Sequence, residues 1–288
     1  MKLNVSLHLG DCLDVLPTLA AGSVDAVVTD PPYAEIDRPY GRLTEKQWWD
    51  LMMGVCREVR RILKPTGSAV FILQSNSEKV GRMRGWLFEF QAWVCREWNM
   101  VQDAYWWNFT APPTVHTHRT QGLMRPSVKA CVWAGPENCW RDQEAVLWRE
   151  SDASKANAFR DRALAYAPSG YSRRQARTAQ AAIERGGTTP FNLLPISNSS
   201  VSDRDGENGA GTPLELAAWW TRYICPSGGV LLDPFLGGGT MGISAAQQGS
   251  SVVGIERNPA DFAIAQRRIE QARAQLALPL FPVEQANG

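Results

Sequence analysis

The amino-acid sequence predicts an α/β fold, a doubly wound and mostly parallel sheet that carries an inserted subdomain. Three features predict it. The chain opens as strand, short helix, strand. Around Val230 a second unit runs strand, glycine-rich loop, helix, strand, and closes on an acidic residue. Between the two units lies a long stretch in which hydrophobic periodicity fades.

Taken in order, Leu7 and Leu9 alternate in a short strand ending at Gly10-Asp11. Leu13, Leu16 and Leu19 follow at helical spacing until Gly22-Ser23 breaks the helix. Val24, Ala26, Val27 and Val28 form a buried strand that ends at Thr29-Asp30-Pro31-Pro32-Tyr33. The polar segment to Gly41 reads as a mobile loop over a site. Thr44 and Gln47 have the spacing of a capping box. Trp48, Leu51, Met52, Val55, Val59, Ile62 and Leu63 then make one helical stripe facing the sheet, with Arg57, Glu58, Arg60 and Arg61 facing water. After the stop at Lys64-Pro65-Thr66-Gly67 comes a buried strand, Ala69 to Leu73. A helix is expected from about Glu78 to Trp98, and further strands over Val101 to Phe109 and Val128 to Ala134.

From Glu137 to Asn208 the pattern is irregular and rich in Ser, Gly, Ala and Arg. Order returns with Pro213 in a first helical turn and Leu216, Ala217, Trp220, Tyr223 and Ile224 on one helical face. Val230 to Leu232 is a buried strand running into Asp233-Pro234-Phe235-Leu236-Gly237-Gly238-Gly239-Thr240. A helix to about Gln248, a strand from Val252 to Ile255 closed by Glu256, and a last helix from Asn258-Pro259 complete the unit.

Composition narrows the class. The chain has 288 residues, 44% hydrophobic and 20% charged, enough for one substantial core and a smaller subdomain. No apolar run is long enough to span a bilayer, and Met1-Lys2-Leu3-Asn4 lacks the apolar core of a signal peptide. The six cysteines are scattered with no Cys-x-x-Cys pair, which argues against a zinc site and fits a reducing cytoplasm. His116-x-His118 has no neighbouring acidic or Cys ligand and reads as loop polarity. The net charge is only +1, so a nucleic-acid partner needs a local basic face. Arg173, Arg174 and Arg177 beside Tyr171, together with Arg119, are the candidates for phosphate contact, although any single Arg is more simply a solvated surface residue.

Two stretches carry chemistry. In an open α/β sheet, ligands bind at strand tips, and Asp30-Pro31-Pro32-Tyr33 stands at one. Two prolines stiffen the backbone there. An acidic oxygen, rigid carbonyls and an aromatic ring suit a flat, amine-bearing group such as a nucleobase. Pro-Pro alone would be no more than a stiffened turn. The second stretch is the glycine loop with Glu256. Gly237, Gly239 and Gly242 satisfy G-x-G-x-x-G, a weak match that alone would suggest a dinucleotide enzyme. Asp233-Pro234-Phe235 is not required by a dinucleotide fold, and Asp-Pro-Pro-Tyr has no role in hydride transfer.

Together these residues resemble the amino-methyltransferases of DNA. Asp233 to Thr240 is similar to their S-adenosyl-L-methionine loop, with glycine at 238 where serine is more usual, and Asp30-Pro31-Pro32-Tyr33 is similar to their catalytic motif. The catalytic motif precedes the cofactor loop, with an irregular insert between, which resembles the circularly permuted beta group. The resemblance covers about residues 5 to 135 and 212 to 272. It implies a catalytic half over residues 1–135, an inserted target-recognition region over 136–210, a cofactor-binding half over 211–275 and a loose tail over 276–288.

The resemblance further implies that Asp11 and Cys12 lie beside the cofactor adenine, that Glu256 holds its ribose, and that Phe235 lines the cleft. The His-Pro-Thr and Lys usual before the second unit are replaced by Asn208-Gly209-Ala210-Gly211-Thr212, so Thr212 is expected near the methionine carboxylate. Where the family often carries a Glu, Lys129 stands. The expected activity is methyl transfer to the exocyclic N6 of an adenine flipped out of double-stranded DNA. Asp is more often seen first in the motif of adenine-N6 enzymes and Ser in cytosine-N4 enzymes. Cytosine N4 is the alternative. An inactive DNA-binding protein of the same fold and a dinucleotide oxidoreductase are the readings from other classes, separable by which cofactor binds. The resemblance also implies a cytoplasmic, nucleoid-associated homodimer of bacterial or phage type and admits a companion restriction endonuclease. The pairs Trp48-Trp49 and Trp219-Trp220 read as exposed and point the same way.

Overall fold

A computed structural model describes residues 4–38, 41–111, 122–149, 184–198 and 211–277. Its centre is a nine-stranded sheet. The strands are β1 (Val5–Leu9), β2 (Val24–Thr29), β3 (Leu63–Leu73), β6 (Met100–Gln102), β7 (Tyr105–Trp107), β8 (Val128–Ala134), β9 (Leu193–Pro195), β10 (Val230–Asp233) and β11 (Ser251–Glu256). Across the sheet their order is β1, β11, β10, β2, β3, β8, β7, β9, with β6 also paired to β8. The run from β1 to β3 is parallel throughout. β8 runs antiparallel to β3, β6 and β7, and β9 joins β7 in parallel. The expected doubly wound, mostly parallel sheet is therefore present.

The two-residue period of the strands sorts the core into two faces. Val27, Ala69, Phe71 and Leu73 meet α2 (Glu45–Ile62) and α3 (Trp86–Glu97) through Trp48, Met52, Val55, Val59, Phe90 and Val94. Ala26, Val28, Val70 and Ile72 belong to the opposite core, with Leu216, Ala217, Trp220 and Ile224 of α4 (Leu214–Ile224). Both faces are apolar, as a parallel sheet covered on each side requires. A third cluster packs α5 (Thr240–Gln247) onto α6 (Pro259–Ala277) through Ile243, Ala246, Ala265 and Ile269.

Local signals hold at several points. The capping box at the start of α2 is formed in both directions: Gln47 N donates to Thr44 Oγ1 at 3.2 Å, and Thr44 N to Gln47 Oε1 at 2.9 Å. The first helix is shorter than its leucines suggest, with α1 (Cys12–Val15) followed by a 3₁₀ turn over Leu16–Thr18. Arg61 is more than a solvated residue, because it donates to the carbonyls of Leu19 and Leu16 at 2.9 and 3.0 Å.

Other expectations are corrected. Residues from Ser77 form a hairpin of β4 (Ser77–Lys79) and β5 (Arg82–Met83), and the helix begins only at Trp86. Gly81, at φ +75°, makes the turn that a helix would not allow. The strand expected over Val101 to Phe109 is two short ones, β6 and β7. Trp48 and Trp220 are buried, at 0% and 1% exposure, so neither tryptophan pair forms an exposed surface. Val146, Trp148, Leu194 and Ile196 are also buried, and Leu194 and Ile196 join the core on the α4 side of the sheet. Among the described residues no helix is long and apolar enough to cross a membrane.

Candidate active site

The parallel strands β1, β2, β10 and β11 end on one edge of the sheet, and their tips deliver the acids singled out from sequence. Asp30 follows β2, Asp233 closes β10, Glu256 closes β11, and Asp11 follows β1. They share one cavity of about 250 Å³. Its lining includes Asp11, Cys12, Asp30, Pro31, Pro32, Tyr33, Thr212, Asp233, Pro234, Phe235, Gly237, Thr240 and Glu256. Two motifs far apart in sequence thus meet because β10 lies between β11 and β2.

At the tip of β2 the Asp30 carboxylate is held from three sides. Tyr33 Oη donates to Oδ1 at 2.5 Å, and Thr212 Oγ1 donates to Oδ2 at 2.9 Å. Lys129 Nζ lies 3.5 Å from Oδ2. Tyr33 is buried, at 6% exposure, and so offers the cavity little of its ring. The backbone of the motif is fixed from behind. Trp48 Nε1 on α2 donates to the Pro32 carbonyl at 2.8 Å. Asn76 Nδ2 donates to the Ala34 carbonyl at 2.7 Å, and Asn76 Oδ1 accepts from Trp86 Nε1 at 3.0 Å. After the motif the chain forms a loop closed at its base, where Glu35 N donates to the Leu43 carbonyl at 2.7 Å. Glu35 adopts a left-handed φ of 60°; its carboxyl is held below the usual range by the Arg42 guanidinium and by the amide of Glu45.

In the second half of the cavity, the loop after β10 turns through Gly237 at φ 49° and Gly239 at φ 87°. A side chain at Gly239 would also meet Ala265 Cα at 2.9 Å. Glu256 is pinned by backbone donors, with Gly237 N on Oε2 at 2.8 Å and Asn258 N on Oε1 at 2.7 Å. Each oxygen keeps a lone pair, so the carboxylate remains an acceptor of fixed direction. Asp11 caps α1 by accepting from Leu13 N at 2.9 Å. Cys12 stands beside it, its thiol pushed up to about 12 by burial and then by Asp11. That makes it a neutral wall residue and not a nucleophile. Asp233 is buried and its carboxyl is pushed up to about 7, chiefly by desolvation. It accepts from Thr29 Oγ1 at 2.6 Å and from Phe235 N at 3.0 Å.

Among the sequence-based candidates, Arg119, Arg173, Arg174 and Arg177 fall outside the described residues, as do His116 and His118. Arg185, at the edge of the insert, is bonded to Glu144 and Gln143. Gly238 leaves room for Arg268, whose Nη1 donates to the Gly238 carbonyl at 2.8 Å. Thr29, Trp48, Lys129 and Arg268 are site residues that the motifs do not announce. Lys129 had one signal, a charge inside the otherwise apolar run Val128–Ala134.

Three comparisons bear on this geometry. A family model described as DNA methylase, of the N6/N4 methyltransferase type, matches residues 24–267. The type II methyltransferase M.PvuII of Proteus hauseri is 24% identical over 273 residues, covering 89% of this chain and 81% of that protein. M.Cfr9I of Citrobacter freundii is 24% identical, covering 94% and 89%. Among solved structures, the PvuII DNA methyltransferase (cytosine-N4-specific) superposes with a TM-score of 0.71 at 20% identity, covering 96% of this chain and 93% of that one. TTHA0409 of Thermus thermophilus, complexed with S-adenosyl-L-methionine, superposes with a TM-score of 0.59 at 21% identity, covering 96% and 97%.

Proposed function

The chain belongs to the N6/N4 DNA methylase family, and on that basis we propose that it methylates the exocyclic N6 of adenine in double-stranded DNA, with S-adenosyl-L-methionine as donor. One observation carries the reading: Asp30 and the Asp233–Glu256 unit open into the same cavity. A group received by one half therefore faces a group held by the other.

The donor half fits a nucleoside. Glu256 offers fixed acceptors for ribose hydroxyls, Asp11 and Cys12 stand at the neighbouring strand tip, and Phe235, Leu236 and Met241 supply apolar wall. When bound, S-adenosyl-L-methionine supplies a methyl group on a positively charged sulfur. The task of the chain's own residues is to prepare the acceptor. An exocyclic amine is a poor nucleophile because its lone pair is delocalised into the ring. Asp30 and the Pro31 carbonyl accept its hydrogens and draw the nitrogen toward a pyramidal shape. As the methyl–nitrogen bond forms, the methyl–sulfur bond would break with its electron pair left on sulfur, S-adenosylhomocysteine would leave, and the amine sheds one proton, which Asp30 Oδ1 receives. Positioning and electrostatics account for the acceleration, with no covalent enzyme intermediate. Asp30 is recessed, at 20% side-chain exposure. A base paired in a duplex does not reach it, so the target nucleotide is flipped out at a cost of about a few kcal/mol.

We take residues 1–135 and 211–275 as the two halves of one methyltransferase domain, and 136–210 as the region that contacts the target sequence. Phosphate contacts from Arg119, Arg173, Arg174 and Arg177 belong to this proposal, as do assembly as a homodimer and a companion endonuclease of the restriction–modification kind. Residence in the cytoplasm, on the nucleoid, follows from the substrate.

Asp30 at the first motif position supports adenine. Cytosine N4 is the second reading, favoured by the likeness to the cytosine-N4-specific PvuII enzyme. The experiment is to incubate the protein with unmethylated DNA and S-adenosyl-L-methionine, digest to nucleosides and weigh the product. N6-methyl-2′-deoxyadenosine supports the first reading and N4-methyl-2′-deoxycytidine the second. Cofactor binding without any methylated base overturns both.

A further inference from the structure

Lys129 has no part in the transfer as derived from Asp30, yet it stands at the reacting corner. It is the one charged residue of β8. The pairing of β8 with β7 sets it opposite Trp106. Its ammonium is 4.8 Å from the centroid of the Trp106 ring and 5.3 Å from that of Tyr33. It is 2.9 Å from Tyr33 Oη and 3.5 Å from Asp30 Oδ2. Only 18% of its side chain is exposed. A lysine is ordinarily a flexible, hydrated point charge. Two aromatic faces and two oxygens hold this one still.

The consequence lies in the lone pairs of Asp30. An ionised carboxylate accepts at about four positions. Tyr33 occupies one on Oδ1, while Thr212 and Lys129 occupy those of Oδ2. One position, on Oδ1, is left for an incoming amine hydrogen. Charge matters as well, because the cavity carries the acids Asp11, Asp233, Glu256 and Asp261 besides Asp30. The other cations of the lining are Arg38, Arg257 and Arg268, and Arg268 is bonded to the Gly238 carbonyl in the other half.

We propose that Lys129 is a positioning residue: its ammonium fixes Asp30 and Tyr33 so that a single carboxylate lone pair faces the acceptor amine, and it offsets the Asp30 charge so that a cationic methyl donor is not trapped as an ion pair. This rests on the methyltransferase reading.

The test uses the full chain with Lys129→Ala and Lys129→Arg. Binding is measured without DNA for two probes, S-adenosylhomocysteine, which is neutral at sulfur, and sinefungin, which carries an ammonium in place of the methylated sulfur. Lys129→Ala should favour sinefungin over S-adenosylhomocysteine by about threefold or more relative to the unaltered protein, because Asp30 loses its counter-charge. Lys129→Arg should hold the ratio within about twofold. On unmethylated plasmid DNA, Lys129→Ala should lose about tenfold or more in kcat. Added ethylammonium should restore part of that loss where sodium at equal ionic strength does not. An unchanged probe ratio overturns the proposal. So does an unchanged kcat, or a loss that neither ethylammonium nor Lys129→Arg repairs. If the unaltered protein moves no methyl group to DNA, the methyltransferase reading itself falls and takes this proposal with it.

Discussion

Thr29 and Asp233, separated by 204 positions in sequence, are joined by a 2.6 Å hydrogen bond across neighbouring strands. The bond ties the residue before Asp30-Pro31-Pro32-Tyr33 to the residue that leads into the glycine loop. It sets the distance between the two halves of the site. Asp233 has no solvent of its own, so its carboxyl sits near 7 and depends on Thr29 and the Phe235 amide.

Asp233 should make stability fall with rising pH. Its folded-state pKa, about 7, lies above the ordinary value of 3.8, so the folded protein holds this proton more tightly than the unfolded chain. The contribution is full below pH 3.8 and is lost as pH rises through 7. Asp233→Asn keeps an acceptor for Thr29 and removes the titration. Denaturation at pH 5 and pH 8 should show the variant gaining on the unaltered protein by a few kcal/mol, at about 1.4 kcal/mol per unit. An equal difference at both pH values contradicts the buried, raised carboxyl.

Asp30→Ala should lower methyl transfer by about 10²-fold or more. Its effect on S-adenosyl-L-methionine affinity should stay within a few-fold, because Glu256 and the glycine loop lie in the other half of the cavity. Calorimetry with the cofactor and product counting on DNA measure the two separately. An active Asp30→Ala protein would rule out the proposed chemistry.

Trp48→Phe keeps most of the buried ring and removes the donor to the Pro32 carbonyl. Trp48 packs on Trp86 with ring centroids 4.5 Å apart, so the core should survive. The lost bond should cost about 1 kcal/mol in stability, since a part-buried carbonyl loses its donor. kcat should fall while the cofactor dissociation constant holds.

Gly239→Ala should abolish cofactor binding and destabilise the chain by about 1 to 3 kcal/mol. The residue sits at φ 87°, and the added methyl would meet the backbone of α6 at Ala265. Gly237→Ala has the strained φ without the collision and should be milder. Thermal melts with and without S-adenosyl-L-methionine rank the two.

The strand tips and their motifs were legible because each is a local string: an apolar run, an acid, then prolines or glycines. The hairpin from Ser77 was not. Val80, Met83, Leu87, Phe90 and Val94 can be threaded onto one helical stripe, and the turn at Gly81 is visible only in backbone angle. Trp48 and Trp220 look like surface aromatics because each has a tryptophan beside it. Helical geometry sends the two members of each pair in different directions, and Trp48 and Trp220 go inward. Lys129 was visible as a misplaced charge, but its partners Asp30 and Tyr33 lie 99 and 96 positions away. No local pattern carries such a pairing.

The sheet order has a consequence for how the protein comes to exist. β1 pairs with β11, and β2 with β10, so both early strands wait for neighbours supplied by residues 230–256. During synthesis β2, the strand that leads into Asp30, has an open edge on the side that β10 will occupy. Such distant pairings close slowly and leave apolar strands exposed while they form. The cavity shared by Asp30, Asp233 and Glu256 therefore cannot form until residues 230–256 have been made. Activity should appear as a single late event, when β10 slides between β11 and β2 and assembles both halves of the site at once.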